Sequence, residues 1–159
     1  MPLTPRNAVA ALFSLALAVI AFVLFSQYVQ GYLPCELCLR ERLPWYAAIA
    51  VGAVGLVRPS SWIVALLGIL FLIGAGLGLH HVGVEQRWWL GPAACTSSFD
   101  ANSIEELRKK LQSAPVVQCD VISWTLFGLS MTTYNFLVSS AAAVFALFAT
   151  RRFIGAKHA

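Results

Sequence analysis

The sequence carries AVAALFSLALAVIAFVLFSQY at residues 8–28, a run that contains no charged residue. A helix needs about 20 apolar residues to cross the hydrocarbon core of a bilayer. The whole chain of 159 residues is 59% hydrophobic and only 11% charged, whereas ordinary soluble domains are about 25% charged. Such a chain cannot cover a globule with polar surface, so we predict a membrane protein whose first span is this run.

Three further apolar stretches predict spans at about residues 36–57, 62–81 and 122–150. The second stretch reaches membrane length only if its helix begins near Glu36 and carries the charged residues 40–42 at the interface. The first stretch is too long for a signal peptide and no small-x-small cleavage site follows it, so we expect it to be retained. The predicted fold is an all-α membrane protein, a single four-transmembrane-helix bundle over residues 1–159.

Charge divides the connecting segments into two groups. The N-terminus, the turn at residues 58–61 and the C-terminus hold five of the eleven Lys and Arg residues and no acid. The other six basic residues are diluted among all seven acids in the loops at about residues 29–43 and 82–121. The positive-inside rule counts Lys and Arg near span ends, and their density favours cytoplasmic termini. The two loops are therefore predicted to face out of the cytoplasm.

All four cysteines lie in these two outward loops, which agrees with an oxidising compartment where disulfides persist. Cys35 and Cys38 form a Cys-x-x-Cys pair at the start of the second span, where the helix dipole favours a thiolate. Arg42 lies four residues after Cys38, on the same helix face, so its charge should stabilise a Cys38 thiolate further. A stabilised thiolate makes the disulfide a stronger oxidant. The alternatives are an inert structural disulfide and an arginine that only anchors the end of the span.

His80 and His81 end the third span on the outward side. One of them could donate a hydrogen bond or a proton to a bound carbonyl group, or either could simply anchor the helix at the interface. Their spacing does not choose between the two residues.

The second outward loop contains Cys95 and Cys119. A disulfide between them would stabilise the loop by about 3 kcal/mol, or it could be the outer half of a relay whose inner half is the Cys-x-x-Cys pair. Ser103 and Glu106 fit a helix capping box. The apolar face that follows predicts a short amphipathic helix, which lies either on the membrane surface or on the bundle.

Taken together, several segments resemble the DsbB family, the inner-membrane enzymes that reoxidise the periplasmic dithiol oxidase DsbA with quinone. The matching segments, in the family's order, are Pro34-Cys35-x-x-Cys38-x-x-x-Arg42, His81-Val82-Gly83-Val84-Glu85, Gly91-Pro92 with Cys95, Cys119-Asp120, and Trp124 through Leu126-Phe127-Gly128-Leu129-Ser130-Met131 to Tyr134-Asn135. The resemblance implies a protein-dithiol:quinone oxidoreductase in the inner membrane of a bacterium. Its cofactor would be quinone (ubiquinone, or menaquinone under anaerobic conditions), and its partner a DsbA-like periplasmic thiol oxidase.

The resemblance also implies a role for each matching residue. Cys35 and Cys38 would be the quinone-coupled pair, with Cys38 meeting the quinone ring and Arg42 holding the quinone. His81 would be the histidine near the quinone. Cys95 would be attacked by the partner's thiolate, which leaves Cys119 to receive the electrons. Glu36 and Arg40 make this motif more charged than in many relatives. No metal ion is expected, because the quinone carries the two-electron chemistry.

Three other interpretations compete with this one. The vitamin K epoxide reductase family also couples cysteines to a quinone in a four-helix bundle, but there the quinone-facing pair lies by a late helix. A metal-handling membrane protein could use Cys35, Cys38, His80 and His81 as soft ligands, although it would leave the other two cysteines without a role. A packing subunit with structural disulfides is the third.

Overall fold

The computed structural model describes residues 3–92, 104–105, 108 and 117–155. Most of these residues are helical. The elements, in chain order, are α1 (Pro5–Tyr28), α2 (Glu36–Val57), α3 (Ser61–Glu85), β1 (Thr125–Leu126), β2 (Leu129–Ser130) and α4 (Met131–Gly155). The two short strands pair in an antiparallel hairpin, which the prediction of an all-α protein did not include.

Three of the helices within the described residues, α1, α3 and α4, are long and apolar enough to cross a membrane. The fourth, α2, begins at Glu36, where the sequence predicted that its helix must begin. Its first two turns carry the charged residues 36 and 40–42, which lower its apolar character. The helices meet their predicted bounds closely except at α4.

The start of α4 differs from the sequence prediction, which placed the last apolar stretch from about Ile122. The helix begins at Met131 instead, because the β1–β2 hairpin occupies the residues before it. Phe127 and Gly128 form the hairpin turn with φ of 50° and 78°. Both are left-handed values, as a two-residue hairpin of type I′ requires. Ser130 then accepts a hydrogen bond from the backbone N–H of Thr133 at 3.1 Å, which caps the helix start.

Close approach of two backbones defines the contact between α3 and α4, the most extensive helix pair. A Cβ at Gly78 would lie only 3.0 Å from the Phe136 Cα, and one at Gly74 would lie 3.2 Å from the Ser139 hydroxyl. A Cβ at Gly68 would lie 3.0 Å from the Ala146 Cβ, whereas one at Gly76 would face open space. Small residues are what allow membrane helices to approach this closely.

Buried residues form two clusters. The larger lies among the spans and contains Leu12, Ile20, Trp45, Leu67, Phe71 and Phe153 among its members. The smaller lies where α2 begins and α3 ends, and consists of Cys35, Leu37, Val84 and Cys119. We call the end of the bundle that holds this smaller cluster the Cys35 end.

Little of the second outward loop belongs to the described residues. Ile104, Glu105 and Arg108 are helical and exposed, which agrees with a short helix near the predicted capping box. The rest of that predicted helix, and Cys95, lie outside the described residues.

Candidate thiol redox site

Cys35 is the N-cap of α2, and Cys38 lies in the first turn of the helix. The Cys35 sulfur accepts a hydrogen bond from the backbone N–H of Cys38 at 3.2 Å, and the two sulfurs are 2.7 Å apart. Both residues are free thiols. The hydrogen bonds from the side chain and backbone of Cys38 lower the pKa of the Cys35 thiol, although burial opposes the change. These hydrogen bonds favour a thiolate at Cys35, whereas the sequence analysis expected Arg42 to stabilise a thiolate at Cys38.

His81 reaches the dithiol from the far end of α3. Its Nε2 lies 3.6 Å from the Cys35 sulfur, and the residue is only 2% exposed. His80 points elsewhere, is exposed, and stacks on the Trp89 indole with ring centroids 5.9 Å apart. The structure thus brings one of the two candidate histidines to the cysteine pair.

Glu41 is the principal site residue that the sequence reasoning missed. Its Oε1 lies 2.6 Å from His81 Nδ1, and its Oε2 accepts a hydrogen bond from Asn135 Nδ2 at 2.7 Å. Asn135 Oδ1 in turn accepts from the Trp45 indole N–H at 2.8 Å. One signal was available, since an acid close to a membrane span is a functional candidate by default. The sequence analysis treated Glu41 only as an interfacial charge.

Arg42 lies beside this network and faces the same space. Its Nη1 donates a hydrogen bond to Gln27 Oε1 at 2.6 Å, which fixes the guanidinium between α1 and α2. Its Nε is buried and has no hydrogen-bond partner among the residues that the structure describes. The two extra charges of the motif, Glu36 and Arg40, form an ion pair with each other on the exposed side of α2.

A cavity of about 420 Å³ joins these side chains, within the usual range of about 300–1,000 Å³ for small-molecule sites. The polar residues of its lining include Cys35, Cys38, Glu41, Arg42, His81 and Asn135. The rest is largely apolar and comes from α1, α4 and the segment before the hairpin. Trp124 closes one side, in edge contact with both Phe22 and Tyr134. The lining can therefore hold an apolar small molecule and offers it polar groups next to the cysteine pair.

Cys119 belongs to the same buried cluster as Cys35 and is 1% exposed. It is disulfide-bonded, and neither Cys35 nor Cys38 takes part in that bond. The structure therefore holds a disulfide-bonded cysteine next to the dithiol at the Cys35 end of the bundle.

The dithiol and His81 also have the composition of a soft-metal site. Their three ligand atoms lie within 4.8 Å of one another. His80, which the metal-handling interpretation included as a fourth ligand, is not among them.

Helices that can cross a membrane, with a dithiol, a disulfide and a histidine packed together at one end, define a membrane oxidoreductase of thiol–disulfide chemistry. Comparison with known proteins agrees. The sequence model of Disulfide bond formation protein DsbB matches residues 5–149. The chain belongs to the DsbB family, and it is a membrane protein of disulfide bond formation.

Individual relatives give the same assignment. Disulfide bond formation protein B of Azoarcus sp. is 31% identical over 163 residues, covering 92% of this chain and 93% of the relative. Disulfide bond formation protein B 2 of Pseudomonas aeruginosa is 31% identical over 126 residues, which is 75% of each chain. An uncharacterized protein of Rickettsia prowazekii is 25% identical over 139 residues, or 84% of this chain and 81% of that protein.

Proposed function

We propose that this protein reoxidises a DsbA-like periplasmic dithiol oxidase and passes the electrons to membrane quinone. The proposal includes an inner-membrane location, cytoplasmic termini and a fourth span formed by α2. That helix has 22 residues, which at 1.5 Å per residue is about 33 Å, enough to cross the hydrocarbon core. The Cys35 end of the bundle then faces the periplasm.

The observation that carries the proposal is the cavity that joins the dithiol, the Arg42 guanidinium and an apolar wall. A quinone matches this lining, because its ring is apolar and its carbonyl oxygens accept hydrogen bonds. The buried Arg42 Nε is a donor without a partner among the described residues, and leaving such a donor unpaired costs about 1–3 kcal/mol. When bound, quinone supplies the acceptor for two electrons and two protons. Arg42 would orient the quinone, and the apolar lining would exclude water.

The cysteines form a relay in this proposal. The partner's thiolate attacks Cys95, and the mixed disulfide releases Cys119 as a thiolate. Cys119 then attacks the disulfide form of the Cys35–Cys38 pair at Cys35, which forms a Cys35–Cys119 disulfide and releases the Cys38 thiolate. The second partner thiolate breaks the mixed disulfide at the partner's own sulfur, which leaves the partner oxidised and Cys95 as a thiolate. Cys95 attacks Cys119, which restores the outer disulfide and leaves Cys35 and Cys38 as the reduced pair. Membership of Cys119 and Cys35 in one buried cluster supports this order of transfer. Cys35 and Cys38 both line the cavity, and we assign Cys38 as the sulfur that would meet the quinone, as the family resemblance implies.

Energetics explain why an electron acceptor is needed. A DsbA-like oxidase has a potential of about −120 mV, whereas an ordinary exchange-active disulfide near −180 mV is about 60 mV too reducing to oxidise it. That difference is about 2.8 kcal/mol for two electrons. Quinone reduction drains the electrons, and the helix-start hydrogen bonds at Cys35 raise the oxidising strength of the inner disulfide.

Anaerobic mixing of the purified protein, reduced DsbA-like partner and quinone tests the proposal. We expect one quinone molecule to be reduced for each disulfide formed in the partner, with either ubiquinone or menaquinone. The absorbance of the quinone measures the reduction. The Cys38→Ala variant should fall to the background rate and still form the mixed disulfide at Cys95. No reduction of either quinone by the unmodified protein would refute the proposal.

The metal-handling alternative gains one observation, the close grouping of Cys35, Cys38 and His81. It predicts about one equivalent of zinc or copper tightly bound to protein purified without added metal. Elemental analysis that finds such an equivalent, together with an inactive quinone assay, would favour that alternative.

A further inference from the structure

Glu41 is a buried carboxylate with no part in the relay. It is 7% exposed, yet it lies in the second turn of a helix among membrane spans. A buried charge is costly unless hydrogen-bond donors surround it. Each of its two oxygens faces a different helix, since Oε1 meets His81 on α3 and Oε2 meets Asn135 on α4.

The direction of hydrogen bonding in this network is set from one end. The Trp45 indole can only donate, so the oxygen of the Asn135 amide must face it, as observed at 2.8 Å. The amide NH₂ of Asn135 therefore faces Glu41 and occupies Oε2 as a donor. The remaining oxygen, Oε1, is left for His81.

The contact with Glu41 determines which nitrogen of His81 carries the proton. An ionised carboxylate can only accept, so the neutral imidazole donates from Nδ1 to Glu41. In this neutral form of the ring, Nε2 is the unprotonated acceptor. This nitrogen is the one that lies 3.6 Å from the Cys35 sulfur.

We propose that Glu41 is a positioning residue that holds His81 with Nε2 free to accept the proton of the Cys35 thiol. The inference rests on the proposed function for its electron acceptor. When the Cys35–Cys38 dithiol is oxidised, both S–H bonds break, the Sγ–Sγ bond forms and two electrons pass to quinone. His81 Nε2 takes the Cys35 proton and releases it to the reduced quinone, which also receives the Cys38 proton. Glu41 stabilises the imidazolium that exists in between.

A carboxylate is needed at position 41 because two donors converge on it. A glutamine would keep one acceptor oxygen. Its NH₂ would lie either against the Asn135 NH₂, a contact between two donors, or against His81 Nδ1, which would then have to accept and would move the ring proton to Nε2. Glu41→Gln therefore removes the charge and disturbs the orientation of His81 together.

Other charged groups near His81 do not replace Glu41. Glu85, one turn further along α3, accepts a hydrogen bond from the Ser130 hydroxyl at 2.6 Å. Arg42 is held by Gln27 and lines the cavity. Thr132, from α4, is neutral and 3.5 Å from Nδ1.

Alkylation of Cys35 by iodoacetamide tests the inference without quinone. The Cys38→Ala background, with the outer disulfide intact, leaves Cys35 as the thiol to be alkylated. Adding Glu41→Gln should slow alkylation at pH 7 about tenfold or more, because the base is misoriented. Glu36→Gln is the matched control, since it makes the same change on the same helix at a residue paired with Arg40 outside the cavity. Formate should restore part of the rate in Glu41→Ala.

A second measurement separates positioning from binding. In single-turnover oxidation by quinone with Cys38 present, Glu41→Gln should lower the maximal rate about 100-fold. The quinone concentration that gives half of this rate should stay unchanged, and so should the rate of mixed-disulfide formation at Cys95. If Glu41→Gln does not fold, Trp45→Phe is the second variant. It removes the indole N–H that orients the Asn135 amide, and through it Glu41, and it should slow alkylation about threefold.

Alkylation rates within twofold of the Glu36→Gln control, in whichever of the Glu41→Gln and Trp45→Phe proteins folds, would overturn the inference. Failure of the proposed function looks different. In that case the unmodified protein reduces no quinone, whereas the alkylation rates still report on Glu41 and His81.

Discussion

Between α3 and α4, the middle of the bundle and the Cys35 end are built from opposite kinds of contact. In the middle, small residues such as Gly74, Gly78 and Ala146 let the two helices touch with little between them. At the Cys35 end the same helices supply His81 and Asn135, which reach Glu41 through directed hydrogen bonds. Packing in the middle of the bundle depends on side-chain volume. The contacts at the Cys35 end depend on which group donates and which accepts each hydrogen bond.

This difference predicts two kinds of response to mutation. Substitutions in the middle of the bundle should alter the free energy of unfolding. The fraction of the variant protein that folds should still carry out the redox steps. Changes at the Cys35 end should alter particular redox steps and leave the bundle intact. The following predictions can break or sharpen this distinction.

Arg42→His should give the largest effect of the three. It shortens the side chain that Gln27 holds in the cavity, and a hydrogen bond to a charged group contributes about 1.5–3 kcal/mol. Quinone reduction should therefore fall about 10- to 100-fold, while formation of the Cys95 mixed disulfide stays near its normal rate. Stopped-flow quinone absorbance and trapping of the mixed disulfide measure the two steps. Equal losses in both would count against the role of Arg42.

Gly78→Val tests the middle of the interface. Its Cβ would meet the Phe136 backbone at 3.0 Å, and overpacking of this kind typically costs about 1–3 kcal/mol. Gly76→Val is the matched control on the same helix, because a Cβ there meets nothing within 4 Å. Equilibrium unfolding in detergent should show the loss at position 78 only. Equal destabilisation by both changes would mean that helix propensity, rather than close packing, sets the effect.

Local patterns in the sequence predicted much of what these experiments address. The helices α1, α3 and α4 follow from apolar runs of membrane length, and the need for α2 to reach that length placed its start at Glu36. The spacing of Cys38 and Arg42 predicted that they share a helix face, and in the structure both line one cavity. These features depend on residues within a few turns of each other, where helical spacing is informative.

The remainder depends on contacts between distant segments. Glu41 meets a histidine 40 positions away and an asparagine 94 positions away, and no local spacing pairs them. The hairpin before α4 was missed for a different reason. The hairpin residues are apolar enough to be counted as part of the last span. The left-handed turn at Phe127 and Gly128 is what interrupts a helix there.

The smallest effect concerns the pH at which Cys35 reacts. The hydrogen bonds from Cys38 lower the pKa of the Cys35 thiol, so its thiolate persists to lower pH than that of an ordinary cysteine. Alkylation of Cys35 in the reduced protein should therefore begin at lower pH than alkylation of a model thiol. Cys38→Ala removes the largest of these bonds and keeps the backbone one, so the midpoint should move upward. Peptide mass spectrometry across a pH series resolves Cys35 from Cys38. If Cys38→Ala leaves the midpoint unchanged, the lowered pKa of Cys35 comes from the helix start alone. The reactivity of the Cys35 end would then depend less on the identity of its side chains, and its contrast with the middle of the bundle would be weaker.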